Sequence, residues 1–209
     1  MSKNISADRL RTKWDQYAPR YDRDISFFER VQFGGGREWV CSQARGEVLD
    51  VAVGTGLNFA LYPDAVRLTG LDFSPAMLDI ARTRAAELGR EVDLREGDAQ
   101  ALPFPDASFD TVVCTLGLCG FPDERAAITE MYRVLRPHGT LLLLDHVGSH
   151  HRLIYFGQWL LEKLTVRKLG DYQTRRPLPL VEQTGFVIHR QERLKAGMVE
   201  RVAATKPST

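Results

Sequence analysis

The stretch Glu47–Gly56, which reads EVLDVAVGTG, decides the fold. It begins with a nearly continuous apolar run, Val48–Val53, and ends in the turn Gly54–Gly56. A strand that is covered by helices on both faces of a parallel sheet has this composition. The glycines let the backbone approach a ligand where a Cβ atom would intrude. Because open α/β sheets bind ligands at the carboxyl ends of their strands, we expect a nucleotide-like ligand over this turn.

Length and composition limit the class of protein. The 209 residues, of which 44% are hydrophobic, suffice for one domain with a sizeable core. With 28 basic and 27 acidic residues the formal charge is +1, so we expect no nucleic-acid partner. No apolar run approaches the ~20 residues of a membrane span. The oligomeric state is left open.

The cysteines do not suggest a disulfide framework. Cys41, Cys114 and Cys119 are odd in number and sparse, so we expect reduced thiols in a cytoplasmic protein. The spacing of Cys114 and Cys119 is not that of a zinc site, and we predict that no metal is bound. Buried free cysteines usually pack as small apolar side chains.

Residues 1–45 precede the first strand and are predicted to be helical. One helical face in residues 6–21 is formed by Leu10, Trp14, Tyr17 and Tyr21. We expect Pro19 to interrupt this helix, and a second helical segment to run over residues 22–33. Tyr17 and Tyr21 carry hydroxyls that a core-facing stripe does not need. This favours a cap over the ligand pocket, with a packing layer on the sheet as the alternative.

From residue 46 to residue 148, strand-like and helical segments alternate. After the first strand we predict strands at 66–71, 92–95, 109–114 and 140–144, with helices at 74–88 and 123–135. Ser74 is the expected N-cap of the first of these helices, with Pro75 at its first position. This alternation predicts a parallel, doubly wound sheet.

Residues 149–209 complete the predicted fold. A long helical segment, 150–170, and a short helix, 178–184, precede two strands that we expect to form an antiparallel hairpin at the sheet edge. The prediction is therefore α/β: a Rossmann-like doubly wound sheet of seven strands, mostly parallel, in a single domain. Residues 1–45 form its helical cap, 46–148 its ligand-binding core, and 149–209 its substrate-side helices and terminal hairpin.

The long segment 150–170 is basic as well as amphipathic. Such a helix can lie on an anionic membrane surface, so peripheral membrane contact is one interpretation. A helix that faces the core and leaves its basic side in water is the interpretation we favour.

The glycine turn and the acidic residues at strand ends narrow the choice of ligand. A pyrophosphate-binding loop requires G-x-G-x-x-G, but Phe59 stands where the third glycine belongs. Asp72, after the second strand, is placed to accept both hydroxyls of a ribose. Asp50 beside the turn would repel a pyrophosphate and suit a cationic ligand. A ribose and adenine ligand without phosphates fits better than NAD, and an NAD-dependent oxidoreductase is the alternative class.

Four segments taken together match a known family: 48–56, 70–77 (GLDFSPAM), 97–104 (GDAQALPF) and 133–139 (RVLRPHG). In this order they resemble the class I S-adenosylmethionine-dependent methyltransferases. The pattern W-x-x-Y-A-x-x-Y-D at Trp14–Asp22 resembles the N-terminal cap of the ubiquinone/menaquinone methyltransferase-like branch, which carries a methyltransferase type 11 domain.

This resemblance implies S-adenosylmethionine as the cofactor and assigns its contacts. Asp72 would bind the ribose hydroxyls, Asp98 with Ala99 would face the adenine, and Phe73 and Met77 would flank it. The backbone from Ala52 to Gly56 would hold the methionine portion. The predicted cofactor-binding residues are Tyr17, Tyr21, Asp50, Ala52, Gly54, Thr55, Gly56, Asp72, Phe73, Met77, Asp98, Ala99 and Cys114.

The chain departs from the family pattern at two glycine positions. Ala52 adds a methyl group where the family usually has glycine, and we expect cofactor binding to be retained. His138 replaces the second glycine of a Pro-Gly-Gly turn, and histidine tolerates a positive φ better than a branched residue does.

Transfer of a sulfonium methyl group is a one-step in-line displacement, so positioning and desolvation can supply the catalysis without a metal. A hydroxyl or carbon acid can require a general base, for which His146 after the fifth strand is the candidate. The apolar wall Leu116–Phe121 and the apolar face of residues 153–164 favour a small lipophilic acceptor, namely a thiol, a phenol or quinone, or an amine. A non-catalytic adenosylmethionine-binding protein and a phospholipid N-methyltransferase are the alternatives.

Overall fold

The computed structural model describes residues 7–208, with the side chains of Ala7, Phe27 and Arg30 left aside. Its strands are β1 (Glu47–Val51), β2 (Arg67–Asp72), β3 (Val92–Glu96), β4 (Phe109–Thr115), β5 (Leu135–His146), β6 (Val187–Leu194) and β7 (Val199–Thr205). They form one sheet of seven strands in the order β3-β2-β1-β4-β5-β7-β6.

The sheet is mixed in the way that the sequence predicts. Strands β1 to β5 pair in parallel, while β7 runs antiparallel to both β5 and β6. The chain passes from β1 outward to β2 and β3, then returns to β4 on the other side of β1. The strand order therefore reverses between β1 and β4, which is where doubly wound sheets form a ligand crevice at their carboxyl ends.

Helices cover both faces of the sheet. They are α1 (Ala7–Phe28), α2 (Gly36–Cys41), α3 (Pro75–Glu87), α4 (Glu124–Val134), α5 (Arg152–Leu169) and α6 (Leu178–Gln183). Strand β1 sends Leu49 and Val51 into the apolar layer under α4 and Val48 into the layer under α2 and α3. This two-sided burial is why β1 has a continuous apolar sequence rather than an alternating one.

The start of α3 confirms that Ser74 is the N-cap of this helix, as predicted. Ser74 accepts a hydrogen bond of 3.2 Å from the backbone N–H of Met77, and Pro75 is the first helical residue.

The three cysteines are free and buried. Among residues 7–208, no helix has both the length and the apolar character that crossing a bilayer requires.

The first helix is longer than predicted. Helix α1 continues through Pro19 to Phe28, and the π-helical turn Glu29–Phe33 follows it directly. The expected break at Pro19 was therefore wrong. Pro19 is exposed, and the helix on either side of it is held by contacts with α3 and α5, which outweigh the lost hydrogen bond.

Strand β5 also begins earlier than predicted, at Leu135 rather than Thr140. Phe109 pairs with Leu135, and Thr111 pairs with Thr140, so residues 136–139 bulge out opposite a single residue of β4. His138 in this bulge has a φ of 64°, the positive value that its place in the turn suggested.

Helix α5 does not face the core. Gln158 is its buried residue, whereas most of its large apolar side chains are exposed. The favoured interpretation of this segment as a core-facing helix was therefore wrong.

Candidate functional site

A cavity of about 670 Å³ lies at the carboxyl ends of β1, β2 and β4, beneath α1. Its volume is within the range of small-molecule and cofactor sites, about 300–1,000 Å³. Ten of the predicted site residues line it: Tyr17, Tyr21, Ala52, Gly54, Asp72, Phe73, Met77, Asp98, Ala99 and His146. Asp50, Thr55, Gly56 and Cys114 lie outside this lining, so a direct contact of these four with a cofactor stays a prediction.

Asp72 connects the end of β2 to the glycine turn. Its Oδ2 accepts a hydrogen bond of 2.8 Å from the Gly54 N–H, and its Oδ1 accepts one of 2.9 Å from the Ser74 N–H. Each carboxylate oxygen retains a further lone pair, and the side chain lines the cavity. The carboxylate is therefore held rigidly and can still accept hydrogen bonds from a ligand.

Burial makes Asp72 unusually easy to protonate. It is 5% exposed, and desolvation raises the pKa of its carboxyl group to about 6, against the lowering effect of the Ser74 and Gly54 N–H groups. A ligand that donates hydroxyl groups to this carboxylate would favour the ionised form.

The turn that follows β1 has a left-handed backbone at three positions. Ala52, Gly54 and Gly56 have φ values of 57°, 57° and 80°. A Cβ on Gly56 would lie 2.4 Å from Cε2 of Phe59, whose ring is fully buried. Phe59, which replaces the third glycine of a pyrophosphate loop, therefore fills the space beside Gly56.

Asp50 lies under the turn rather than in the cavity. It is fully buried, and its Oδ2 accepts a hydrogen bond of 2.9 Å from Asn58. Arg37 donates bonds of 2.9 Å to Asn58 Oδ1 and 2.8 Å to Thr115 Oγ1. Burial raises the pKa of Asp50 to about 6, partly offset by hydrogen bonds and by the Arg37 charge. This network fixes the turn from below.

The cap packs an aromatic cluster over the cavity. The rings of Trp14, Tyr17 and Tyr21 meet edge to face, with centroids 5.9–6.2 Å apart, and all three residues line the cavity. Burial raises the pKa of Tyr21 to about 12, so its hydroxyl stays protonated. The cap interpretation of the N-terminal helix is supported by this arrangement.

Two carboxylates that the sequence reasoning missed dock the cap on the core. Asp15 accepts a hydrogen bond of 2.6 Å from the Ser74 hydroxyl, and Asp22 accepts one of 2.6 Å from the Thr55 hydroxyl. Both lie inside the W-x-x-Y-A-x-x-Y-D pattern, next to its aromatic residues. Their position inside this pattern was the sequence signal that could have identified them. Thr55 thus supports the cap from outside the cavity.

At the far end of the cavity, His146 lies between two carboxylates. Its Nδ1 is 3.4 Å from Asp145 Oδ1, and its Nε2 is 3.1 Å from Asp171 Oδ1. Burial alone would lower the pKa of this imidazole, but Asp171 and Asp145 outweigh that effect and raise it to about 9. His146 is therefore an imidazolium at neutral pH.

Two facing atoms of this group lack hydrogen bonds. His146 Nε2 and Asp171 Oδ1 are buried and, within the described residues, neither has a partner in hydrogen-bonding geometry. Both residues line the cavity. With Cys119 they offer three possible metal-ligand atoms within 4.8 Å of one another. The predicted absence of a metal stays a prediction.

Comparison with known proteins agrees with this geometry. Residues 49–143 match the family described as methyltransferase domain. Demethylmenaquinone methyltransferase of Deinococcus radiodurans is 41% identical over 140 residues, which are 61% of this chain and 56% of the relative. Phosphatidylethanolamine N-methyltransferase of Cereibacter sphaeroides is 44% identical over 103 residues, 48% of this chain and 51% of the relative. The match thus spans little more than half the length of either curated relative.

A solved structure has the same fold as the described part of the chain. Phosphoethanolamine N-methyltransferase 2 of Haemonchus contortus, in complex with S-adenosyl-L-methionine, superposes with a TM-score of 0.73 at 18% identity. The superposition covers 100% of this chain and 62% of that one. Residues 49–143 thus match a methyltransferase domain, and the chain is similar in sequence to methyltransferases of the ubiquinone/menaquinone branch.

Proposed function

We propose that this protein transfers the methyl group of S-adenosylmethionine to a small lipophilic acceptor that carries a ring hydroxyl, with a hydroquinone as the favoured class. The observation that carries this proposal is the buried ion pair of His146 Nε2 and Asp171 Oδ1, which lie 3.1 Å apart in the cavity lining but without hydrogen-bond geometry between them. A hydroxyl group is both donor and acceptor, so it can satisfy both atoms at once.

The donor end of the cavity suits the cofactor. Asp72, Phe73 and Met77 line the cavity. In this proposal the carboxylate accepts the ribose hydroxyls, while Phe73 and Met77 offer apolar surface for the adenine ring. When bound, S-adenosylmethionine supplies an activated methyl group whose transfer leaves a neutral sulfide. The chain's own contribution is to orient the two reactants and exclude water, and the aromatic cluster of the cap serves that exclusion.

We place the acceptor beside His146 and Asp171 and call this part of the cavity its acceptor end. There His146 supplies a positive charge rather than a free base. Since the pKa of His146 is raised to about 9, the imidazole carries its proton at neutral pH and cannot remove one from the acceptor. Nε2–H can donate to the acceptor oxygen and favour its ionised form, while the Asp171 carboxylate accepts the hydrogen bond from the hydroxyl and takes up its proton on ionisation. An ionised ring oxygen makes the ring carbon beside it, or the oxygen itself, a better nucleophile for the methyl group.

The named relatives support two acceptor classes. Similarity to a demethylmenaquinone methyltransferase agrees with a hydroquinone acceptor. Similarity to a phosphatidylethanolamine N-methyltransferase makes a phospholipid amine the second candidate. The apolar wall Leu116–Phe121 serves either acceptor. A reacting amine directs its single lone pair at the methyl group and cannot also accept from His146 Nε2–H, whereas a ring oxygen has a second lone pair for that bond, so the ion pair favours the hydroquinone.

The test is transfer of labelled methyl from S-adenosylmethionine to a panel of acceptors with short alkyl tails: a hydroquinone, a phenol, a thiol and phosphatidylethanolamine. We expect label in the hydroquinone, and an approximately hundredfold loss in His146→Gln and Asp171→Asn with cofactor affinity unchanged. His151→Gln, an exposed histidine outside the cavity lining, is the matched control. Label in phosphatidylethanolamine alone, or in none of the acceptors, would overturn the hydroquinone proposal.

A further inference from the structure

The outer face of α5 combines exposed apolar and basic side chains. Leu153, Phe156, Leu160 and Leu164 are 88%, 60%, 56% and 60% exposed. Their spacing of three, four and four residues places them in one stripe along the helix, about 16 Å long at 1.5 Å per residue. Isolated exposed leucines are ordinary on a protein surface, whereas a continuous stripe of this kind indicates an interaction site.

The charges on α5 are divided between its two sides. The helix contains four basic residues, Arg152, Lys163, Arg167 and Lys168, and all four are exposed. Its single acidic residue, Glu162, is turned inward and accepts hydrogen bonds of 2.7 Å and 2.6 Å from the backbone and hydroxyl of Thr174. The face that points to solvent is therefore apolar and cationic, without an acidic side chain of its own helix.

The same helix forms a wall of the cavity. Leu161, Thr165 and Leu169 lie on its inner side and line the cavity, and Leu161 is still 48% exposed. Phe28, at the end of α1, lines the cavity as well and is 51% exposed. The rim of the cavity is thus continuous with the exposed stripe.

We infer that the outer face of α5 docks on an anionic membrane surface, with its leucines and Phe156 in the interfacial layer and its basic residues at the lipid phosphates. Charge complementarity selects this occupant, because a cationic face repels a second copy of itself and is attracted to an anionic bilayer. Docking in this orientation places the rim formed by Leu161 and Phe28 at the membrane, where a lipophilic acceptor can enter the cavity. That last consequence rests on the proposed function, whereas the docking does not.

The test is sedimentation of the full chain with vesicles, in the absence of acceptor and cofactor. One set of vesicles is phosphatidylcholine alone, and the other contains roughly 30% phosphatidylglycerol, an anionic lipid. We expect binding to the anionic vesicles that weakens at least about tenfold in Leu153→Asp/Leu164→Asp and in Arg167→Glu/Lys168→Glu. None of these four residues lines the cavity. Leu88→Asp, at a residue 47% exposed directly after the end of α3, is the matched control and should bind like the original protein.

Three results would overturn the docking. They are no binding to anionic vesicles, equal binding by the α5 variants, and a dimer in solution that the same variants dissociate. Cofactor affinity, measured by calorimetry without vesicles, should be unchanged in all these variants. A docking failure with intact cofactor binding leaves the proposed function standing, and methyl transfer to no acceptor leaves the docking result standing.

Discussion

The backbone N–H of Gly54 donates a hydrogen bond of 2.8 Å to Oδ2 of Asp72, and this contact joins the glycine turn after β1 to the end of β2. It brings the two strongest sequence signals of the chain to one edge of the cavity. The left-handed backbone of the glycine turn and the charge of the Asp72 carboxylate lead to the first three predictions.

Removing the Asp72 carboxylate should weaken cofactor binding. Asp72→Ala is expected to cost at least about 1.5 kcal/mol of binding free energy, the scale of hydrogen bonds to a charged group. Calorimetric titration with S-adenosylmethionine measures this. Asp79→Ala, an exposed carboxylate on α3, is the control. Unchanged affinity in Asp72→Ala would show that the ribose lies elsewhere.

Cofactor affinity should fall in mild acid. Because the pKa of Asp72 is raised to about 6, the carboxylate is ionised above that pH and protonated below it. A protonated carboxyl group loses acceptor capacity, so affinity should drop by up to about tenfold per pH unit below 6. Asp72→Asn should abolish this dependence. Asp50→Asn, which removes a buried carboxyl group of similar pKa outside the cavity lining, should retain it.

A side chain at Gly56 should destabilise the fold. Gly56 has a φ of 80°, and its Cβ would lie 2.4 Å from the Phe59 ring. Gly56→Ala is expected to lower the free energy of unfolding by roughly 3 kcal/mol, from the left-handed backbone and overpacking together. Gly89→Ala separates the two effects, because Gly89 has a φ of 61° with nothing within 4 Å. Equal losses in the two variants would mean that Phe59 yields freely.

Because of His146, the free energy of unfolding should fall as the pH becomes alkaline. Its pKa is raised to about 9, above the ordinary 6.5, so the folded state holds this proton more tightly than the unfolded state. The resulting stabilisation, up to about 3 kcal/mol, is complete below pH 6.5 and is lost as pH rises through 9. Thermal unfolding of His146→Asn should therefore show a smaller loss of Tm between pH 7 and 9.5. Parallel curves for the two proteins would contradict the raised pKa.

Chelation should leave the activity intact. Positioning and desolvation account for methyl transfer in the proposed mechanism, so treatment with EDTA should not change its rate. Cys119, His146 and Asp171 are the described side chains that could hold an ion at the acceptor end. A rate that falls on chelation and returns with zinc would replace the hydroxyl-binding role of His146 and Asp171 with a metal site.

Sequence pattern was sufficient for the sheet and for the glycine turn that follows β1 because those signals are local. The apolar run of β1, its glycine turn and the cap of α3 at Ser74 are each encoded within a few residues. Helix α1 was different, since contacts with α3 and α5 keep it helical past Pro19. Propensity at a single proline cannot weigh such tertiary contacts.

The acceptor end depends on contacts that sequence periodicity does not contain. His146 was a candidate because it follows a strand, but its partner Asp171 lies beyond α5 and nothing nearby identified it. The carboxylates Asp15 and Asp22 were equally distant from the residues that they bind. Helix α5 was recognised as amphipathic, yet periodicity gives only the existence of an apolar face and not whether the core or another surface covers it.

The most direct test of the central claim is calorimetric titration of the full chain with S-adenosylmethionine, its demethylated product and NAD. The account predicts that the first two bind at a single site and that NAD does not, since Phe59 occupies the place of the third glycine that a pyrophosphate loop requires. Binding of NAD without binding of S-adenosylmethionine would contradict the account.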